Sequence, residues 1–151
     1  MIRTVRTNSE NVDFIQLVAR LDNLLADLDG RDHDFYDEFN RLDKIKHVVL
    51  AYDGDIAVSC GAIKEFDSET MEVKRMFTSE SQRGKGTATQ VLAELENWAR
   101  ELGYSKCVLE TGKRLSDAVR LYQKNAYRQI PNYRQYIHVE NSICFEKILN
   151  E

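Results

Sequence analysis

A chain of 151 residues, 42% hydrophobic and 30% charged, has the composition of a single soluble globular domain covering 1–151. Its net charge of −4 argues against nucleic acid as the main partner, and no apolar run approaches the length of a membrane span. Three cysteines, Cys60, Cys107 and Cys144, are odd in number, lack CxxC spacing and follow no signal-peptide pattern, so the expectation is reduced, buried thiols in a cytoplasmic protein.

Taken in order, Met1 to Thr7 alternates enough for a first strand, with Ile2 and Val5 as its apolar residues. Asn8 or Ser9 can cap a helix whose face is traced by Phe14, Leu17, Val18, Leu21, Leu24, Leu25 and Leu28, stopped at Asp29-Gly30. Asp32 to Lys44 predicts a second, shorter helix carrying Phe35 and Phe39. His47 to Tyr52 is rich in β-branched residues, Asp53-Gly54-Asp55 is a hairpin turn, and Ile56 to Phe66 returns as the partner strand. After a turn at Asp67-Ser68-Glu69, the run with Val73, Met76 and Phe77 forms a third antiparallel strand. A helix follows, with Ala88, Val91, Leu92, Leu95, Trp98, Ala99 and Leu102 on one face and Gly103 as its stop. Ser105 to Thr111 is a strand, Leu115 to Asn125 a helix, Tyr127 to Ile130 a short strand and Ser142 to Leu149 the last. Between these last two lies a polar loop opened by Pro131 and holding Tyr133, Tyr136 and His138. Strands interleaved with helices in this order predict a mixed α/β sheet with helices on its faces.

The chain is organised around Arg83-Gly84-Lys85-Gly86-Thr87-Ala88, at the junction of the third antiparallel strand's exit and a strongly periodic helix. Helix-start N–H groups without intrahelical partners, the helix dipole and side chains that are only hydrogen make such a turn an anion site. Arg83 and Lys85 add charge beside it. A P-loop would need glycine at position 79, which is Ser79, and Gly86 separates Lys85 from Thr87; a dinucleotide GxGxxG would need glycine where Thr89 stands. The bland alternative is a glycine-rich turn that starts a helix.

Arg83-x-x-Gly86-x-Ala88 resembles the signature of the GNAT superfamily of N-acetyltransferases, and Asp117-Ala-Val-Arg-Leu-Tyr122-Gln-Lys-Asn-Ala-Tyr127 is similar to a second family segment. The order of elements agrees along nearly the whole chain, and the tail resembles small bacterial members. Ala126 stands where glycine is usual, and Leu115 where many members carry an asparagine that touches the pantetheine arm; Ser116 is the candidate substitute. The resemblance implies the acyl-CoA N-acyltransferase fold, a mixed, mostly antiparallel sheet of about seven strands flanked by four helices. It further implies that Arg83, Gly84, Lys85, Gly86, Thr87, Ala88 and Thr89 hold the pyrophosphate of acetyl-CoA, that Met76, Phe77 and Thr78 pair with its pantetheine arm, and that Lys124 reaches the 3′-phosphate. A solvated helix face is the plainer reading of Lys124.

The implied reaction is acetyl transfer from acetyl-CoA to a primary amine of a small molecule or protein, by direct attack in a ternary complex. It needs an acid for the departing thiolate and a base for the amine. Tyr122 occupies the family's tyrosine position and is the candidate acid; a core tyrosine is the competing reading. Glu72 and Glu110 are rival candidates for the base, each also readable as a solvated strand-end carboxylate. The acidic run Asp32, Asp34, Asp37 and Glu38, and the aromatic loop, are candidate acceptor contacts. His33, His47 and His138 have no metal-ligand spacing, so no metal is expected. A homodimer is compatible with the edge strands, and the alternative function is a non-catalytic acyl-CoA sensor.

Overall fold

The computed structural model describes residues 1–29 and 44–149. Seven strands form one sheet in the order β1-β2-β3-β4-β5-β7-β6. They are β1 (Ile2–Thr7), β2 (His47–Asp53), β3 (Ile56–Asp67), β4 (Thr70–Thr78), β5 (Lys106–Gly112), β6 (Arg128–Ile130) and β7 (Ser142–Ile148). Neighbours pair antiparallel except β4 and β5, which run parallel. Three α-helices accompany them among the described residues: α1 (Val12–Asp29), α2 (Thr87–Glu101) and α3 (Ser116–Lys124). The further helix expected over Asp32 to Lys44, with Phe35, Phe39, His33 and the acidic run, lies outside the described residues except for Lys44, which is not helical.

The period-two pattern of the strands divides the core into two layers. Val49, Ala51, Ile63 and Val73 face α2, where Val91, Leu92, Leu95 and Ala99 are buried against them. The alternate residues Val48, Leu50, Cys60 and Ala62 face α1 and meet Phe14, Leu17, Val18 and Leu21. Gly61 marks where the α2 side closes tightest. A Cβ there would lie 2.4 Å from Met76 Sδ and 2.8 Å from Leu95 Cδ1, so only glycine lets helix and strands approach this closely.

Several local expectations change. The α1 cap is Asn11, whose Oδ1 accepts from Asp13 N at 2.9 Å and Phe14 N at 3.4 Å, rather than Asn8 or Ser9. Ser9 instead accepts from Ile45 N and ties the start of the chain to β2's approach. Leu102, expected on the buried face of α2, is 42% exposed because the helix has already ended and the chain is turning at Gly103. Conversely Glu96, which periodicity leaves on the polar side, is 5% exposed, bonding Tyr127 Oη at 2.9 Å and Lys147 Nζ at 2.9 Å. Paired in this way, a buried carboxylate avoids the cost of an isolated charge. Among the described residues no helix is long and apolar enough to cross a membrane.

Candidate active site

The parallel pair β4–β5 holds register only over Thr70↔Lys106, Met71↔Cys107 and Glu72↔Val108. Beyond Glu72 the two strands part, and a cleft with a volume of about 110 Å³ opens between them. From Val73 onward β4 has a strand partner only on its β3 side, so its other backbone edge faces the cleft. Such an edge is ready to pair with an extended amide-bearing ligand. The parted stretch of β4 carries a β-bulge: between Cys60 and Ala62 on β3 stands Gly61 alone, while β4 places both Arg75 and Met76 between Lys74 and Phe77. Arg75 takes the left-handed conformation with φ 60°.

Tyr122, Glu72 and Glu110, from α3, β4 and β5, all line this cleft. The Tyr122 ring is held edge-on to Tyr127 at 5.7 Å and tilted against Phe145 at 6.2 Å between centroids. Burial, and then the nearby Glu110 carboxylate, push its phenol well above the ordinary tyrosine range, so it stays protonated at neutral pH. Glu72 accepts from Tyr133 Oη at 2.7 Å, with Lys74 Nζ at 3.9 Å from its other oxygen. Glu110 accepts from Ser142 Oγ at 2.6 Å. Both carboxylates are therefore oriented by neutral hydroxyls supplied from the chain after α3.

That chain segment gives the aromatic loop a place. A single 3₁₀ turn, Arg134–Tyr136, drops Tyr136 into the cleft wall, where it is 1% exposed. Asn132 Nδ2 fixes the turn by donating to the carbonyls of Tyr136, Val139 and Ser142. Burial and the two glutamates raise the Tyr136 phenol in turn. His138 is exposed and stays out of the cleft. On the α1 side Leu21 and Leu25 complete the wall, residues that helical periodicity marks only as core.

The remaining sequence-predicted residues divide. Met76 lines the cleft, but the Phe77 side chain points into the layer under α1 and Thr78 Oγ1 meets Ser59 Oγ at 2.8 Å, leaving these two only their backbone for a ligand. The loop between β4 and α2 has Gly84 at φ 76° and Gly86 at φ 83°. Gly86 caps α2 with no side-chain hydrogen bond, so the first-turn N–H groups of Thr87, Ala88 and Thr89 remain available to an anion. Arg83 and Lys85 are exposed beside them, with Arg83 Nε donating to Thr78 O at 3.1 Å. Beneath the loop Gln82 is buried and donates to Asp53 Oδ2 at 3.0 Å, anchoring it to the β2–β3 hairpin. Ser116 and Lys124 are exposed, at the first and last positions of α3, and neither lines the cleft; Leu115 does.

All three cysteines are buried and free. Burial pushes the Cys60 and Cys107 thiols up to about 12, and Cys144 to about 11, from an ordinary 9.0. None is set up as a thiolate nucleophile. Raised folded-state values have a stability consequence: the unfolded chain loses these protons first, so their contribution is full below the ordinary thiol value and fades as pH climbs through the raised ones. The melting temperature is expected to fall across the interval from 9.0 to about 12, and less steeply in Cys60→Ala. An unchanged alkaline melting series would contradict this.

A splayed parallel pair beside a glycine-capped helix start defines an acyl-CoA-dependent acyltransferase fold, and the comparisons agree. The family model described as Acetyltransferase (GNAT) family matches residues 14–127. The chain is 37% identical over 101 residues to the uncharacterized N-acetyltransferase YsnE of Bacillus subtilis, covering 66% of this chain and 67% of that one. It is 31% identical over 138 residues to the IAA acetyltransferase of Azospirillum brasilense, covering 89% and 90%. A Klebsiella pneumoniae structure described as an acyl-CoA N-acyltransferase superposes with TM-score 0.81 at 26% identity, covering 99% of this chain and 98% of that one. An Elizabethkingia anophelis GNAT family acetyltransferase solved with acetyl-CoA bound gives TM-score 0.68 at 22% identity, covering 98% of each chain. The chain belongs to the GNAT family of acetyltransferases, a family that uses acetyl-CoA as acyl donor.

Proposed function

We propose that the cleft transfers the acetyl group of acetyl-CoA directly to a primary amine of a small molecule or protein, both substrates being bound together. The observation that carries this reading is the convergence of Tyr122, Glu72 and Glu110 on the one place where β4 and β5 part. The first-turn amides of α2 and the loop Arg83 to Thr89 hold the pyrophosphate, and the open edge of β4 from Met76 to Thr78 pairs with the pantetheine arm. Glu72 or Glu110 takes a proton from the acceptor ammonium. The amine nitrogen then attacks the thioester carbon, forming the C–N bond, and the C–S bond breaks. The Tyr122 phenol gives its proton to the departing thiolate and regains one as the attacking nitrogen sheds its second, so the amide leaves neutral, free CoA leaves as a thiol, and the carboxylate returns its proton to solvent.

The two carboxylates divide the acceptor side. Glu72 shares its place with Lys74, whereas Glu110 sits nearer the Tyr122 phenol, close enough to raise its pKa. A screen of primary amines for CoA release, repeated with Glu72→Gln and Glu110→Gln on an accepted amine, tests the reading. One of the two carboxamide variants is expected to lose roughly 10²-fold in kcat, the ordinary worth of a positioned base. Full activity in both would remove the carboxylates from the mechanism.

A further inference from the structure

The β4 bulge holds an arginine where a bulge of this kind ordinarily carries glycine. Arg75 has φ 60°, a conformation in which an L-residue crowds its own Cβ against the backbone. Something outside the backbone must keep it there. Its side chain is 2% exposed and its Nη2 lies 2.5 Å from Asp22 Oδ1, on α1. A buried guanidinium is costly unless paired, so the position of Asp22 dictates where the backbone of residue 75 can sit. Cys60 Sγ adds a contact to the Arg75 carbonyl at 3.4 Å. Asp22 lies between Leu21 and Leu25, which line the α1 wall of the cleft, while Arg75 and Met76 line the β4 wall.

We propose that the Asp22–Arg75 ion pair is the clamp that holds the β4 bulge, making both of them positioning residues for the donor thioester and tying the α1 wall to the donor strand. The inference rests on the reading of β4 as the strand that pairs with acetyl-CoA. Neither side chain touches the reacting atoms; the pair acts through the backbone of residues 75 and 76. The kink lies in the stretch of β4 whose edge has already left β5, and a small error in it displaces the thioester from the attacking amine.

Glycine accepts φ 60° without help and alanine does not, which separates a backbone clamp from a guanidinium that acts in its own right. Arg75→Ala, Arg75→Gly, Asp22→Asn and the double variant Asp22→Asn with Arg75→Gly are compared at saturating acetyl-CoA. Arg75→Ala and Asp22→Asn are each expected to lose about tenfold in kcat. Arg75→Gly is expected to keep most of it, and Asp22→Asn to cost nothing further in the glycine background. An ion pair that served only global stability would lower the melting temperature in all four and leave kcat alone. Arg75→Gly as slow as Arg75→Ala, with native circular dichroism, would overturn the proposal. So would full kcat in Asp22→Asn, which keeps an oxygen acceptor at a site 42% exposed and therefore carries the test if the Arg75 variants fail to fold. If the unaltered protein acetylates no amine, the acetyltransferase reading has failed instead, and the same ranking is read from acetyl-CoA affinity by calorimetry.

Discussion

Tyr122→Phe is expected to lower kcat by roughly 10²- to 10⁴-fold, the range for a lost general acid, while acetyl-CoA affinity and melting temperature stay near those of the unaltered protein. The expectation follows from how the residue is held. Its ring is locked between Tyr127 and Phe145 by shape, which phenylalanine keeps. The residue lines the cleft together with Glu72 and Glu110, so deleting its oxygen is expected to remove chemistry and little packing. Because burial and Glu110 hold the phenol protonated well beyond neutral pH, the donor form is fully populated wherever the protein is folded at ordinary pH. Rates would be compared at saturating donor and acceptor, with affinity from calorimetry. A Tyr122→Phe enzyme with unchanged kcat would assign the tyrosine to the core alone.

Gly86→Glu is expected to weaken acetyl-CoA binding by at least about 10²-fold, the loss of two charge-assisted hydrogen bonds at about 1.5–3 kcal/mol each. At the α2 start a Cβ on residue 86 meets nothing within 4 Å, so the glutamate has room and the fold tolerates it. The positive φ of 83° costs the side chain about 1–2 kcal/mol of strain, a part of a typical domain's stability of about 5–15 kcal/mol. The added carboxylate is then expected to sit beside the amides of Thr87 and Ala88, in the place proposed for the pyrophosphate. Gly86→Ala carries the strain without the charge and is expected to bind far better than Gly86→Glu. Equal loss in the two would mean that backbone conformation, and not the anion site, governs affinity.

Much of this arrangement was legible in the residues themselves. The unbroken apolar run Val48 to Ala51 describes a strand buried on both faces, helical spacing from Val91 to Ala99 describes one buried helix face, and both layers of the core follow from them. The glycine loop was legible because its chemistry is local: Gly84 and Gly86 need positive φ, and the helix they start is strongly periodic. The convergence of Tyr122, Glu72 and Glu110 depended on the family resemblance, since they come from three elements and no local spacing links them.

What escaped sequence reasoning was non-local. The bulge at Arg75 leaves no trace in periodicity, because an extra residue in one strand is defined only against Gly61 on the strand beside it. The burial of Glu96 depends on Tyr127 and Lys147, which arrive 31 and 51 residues later. Tyr133 and Tyr136 were visible as aromatics in a polar loop, but their roles, one holding Glu72 and one forming the cleft wall, are set by a 3₁₀ turn that Asn132 pins from behind. Leu115 in place of the family's asparagine puts an apolar side chain in the cleft wall where a polar contact to the donor was in question. Ser116, the candidate substitute, is exposed and away from that wall.

The proposed function stands on the direct passage of acetyl from acetyl-CoA to an amine at the β4–β5 cleft. It is tested most directly by a single turnover with acetyl-labelled donor and an amine found in the screen, following the label on protein and amine by mass spectrometry. Label is expected on the amine as CoA is released, with the protein's mass unchanged at every time point and no CoA released without amine. Label that first accumulates on Cys60, Cys107, Cys144 or any other side chain, and then moves to the amine, would contradict it.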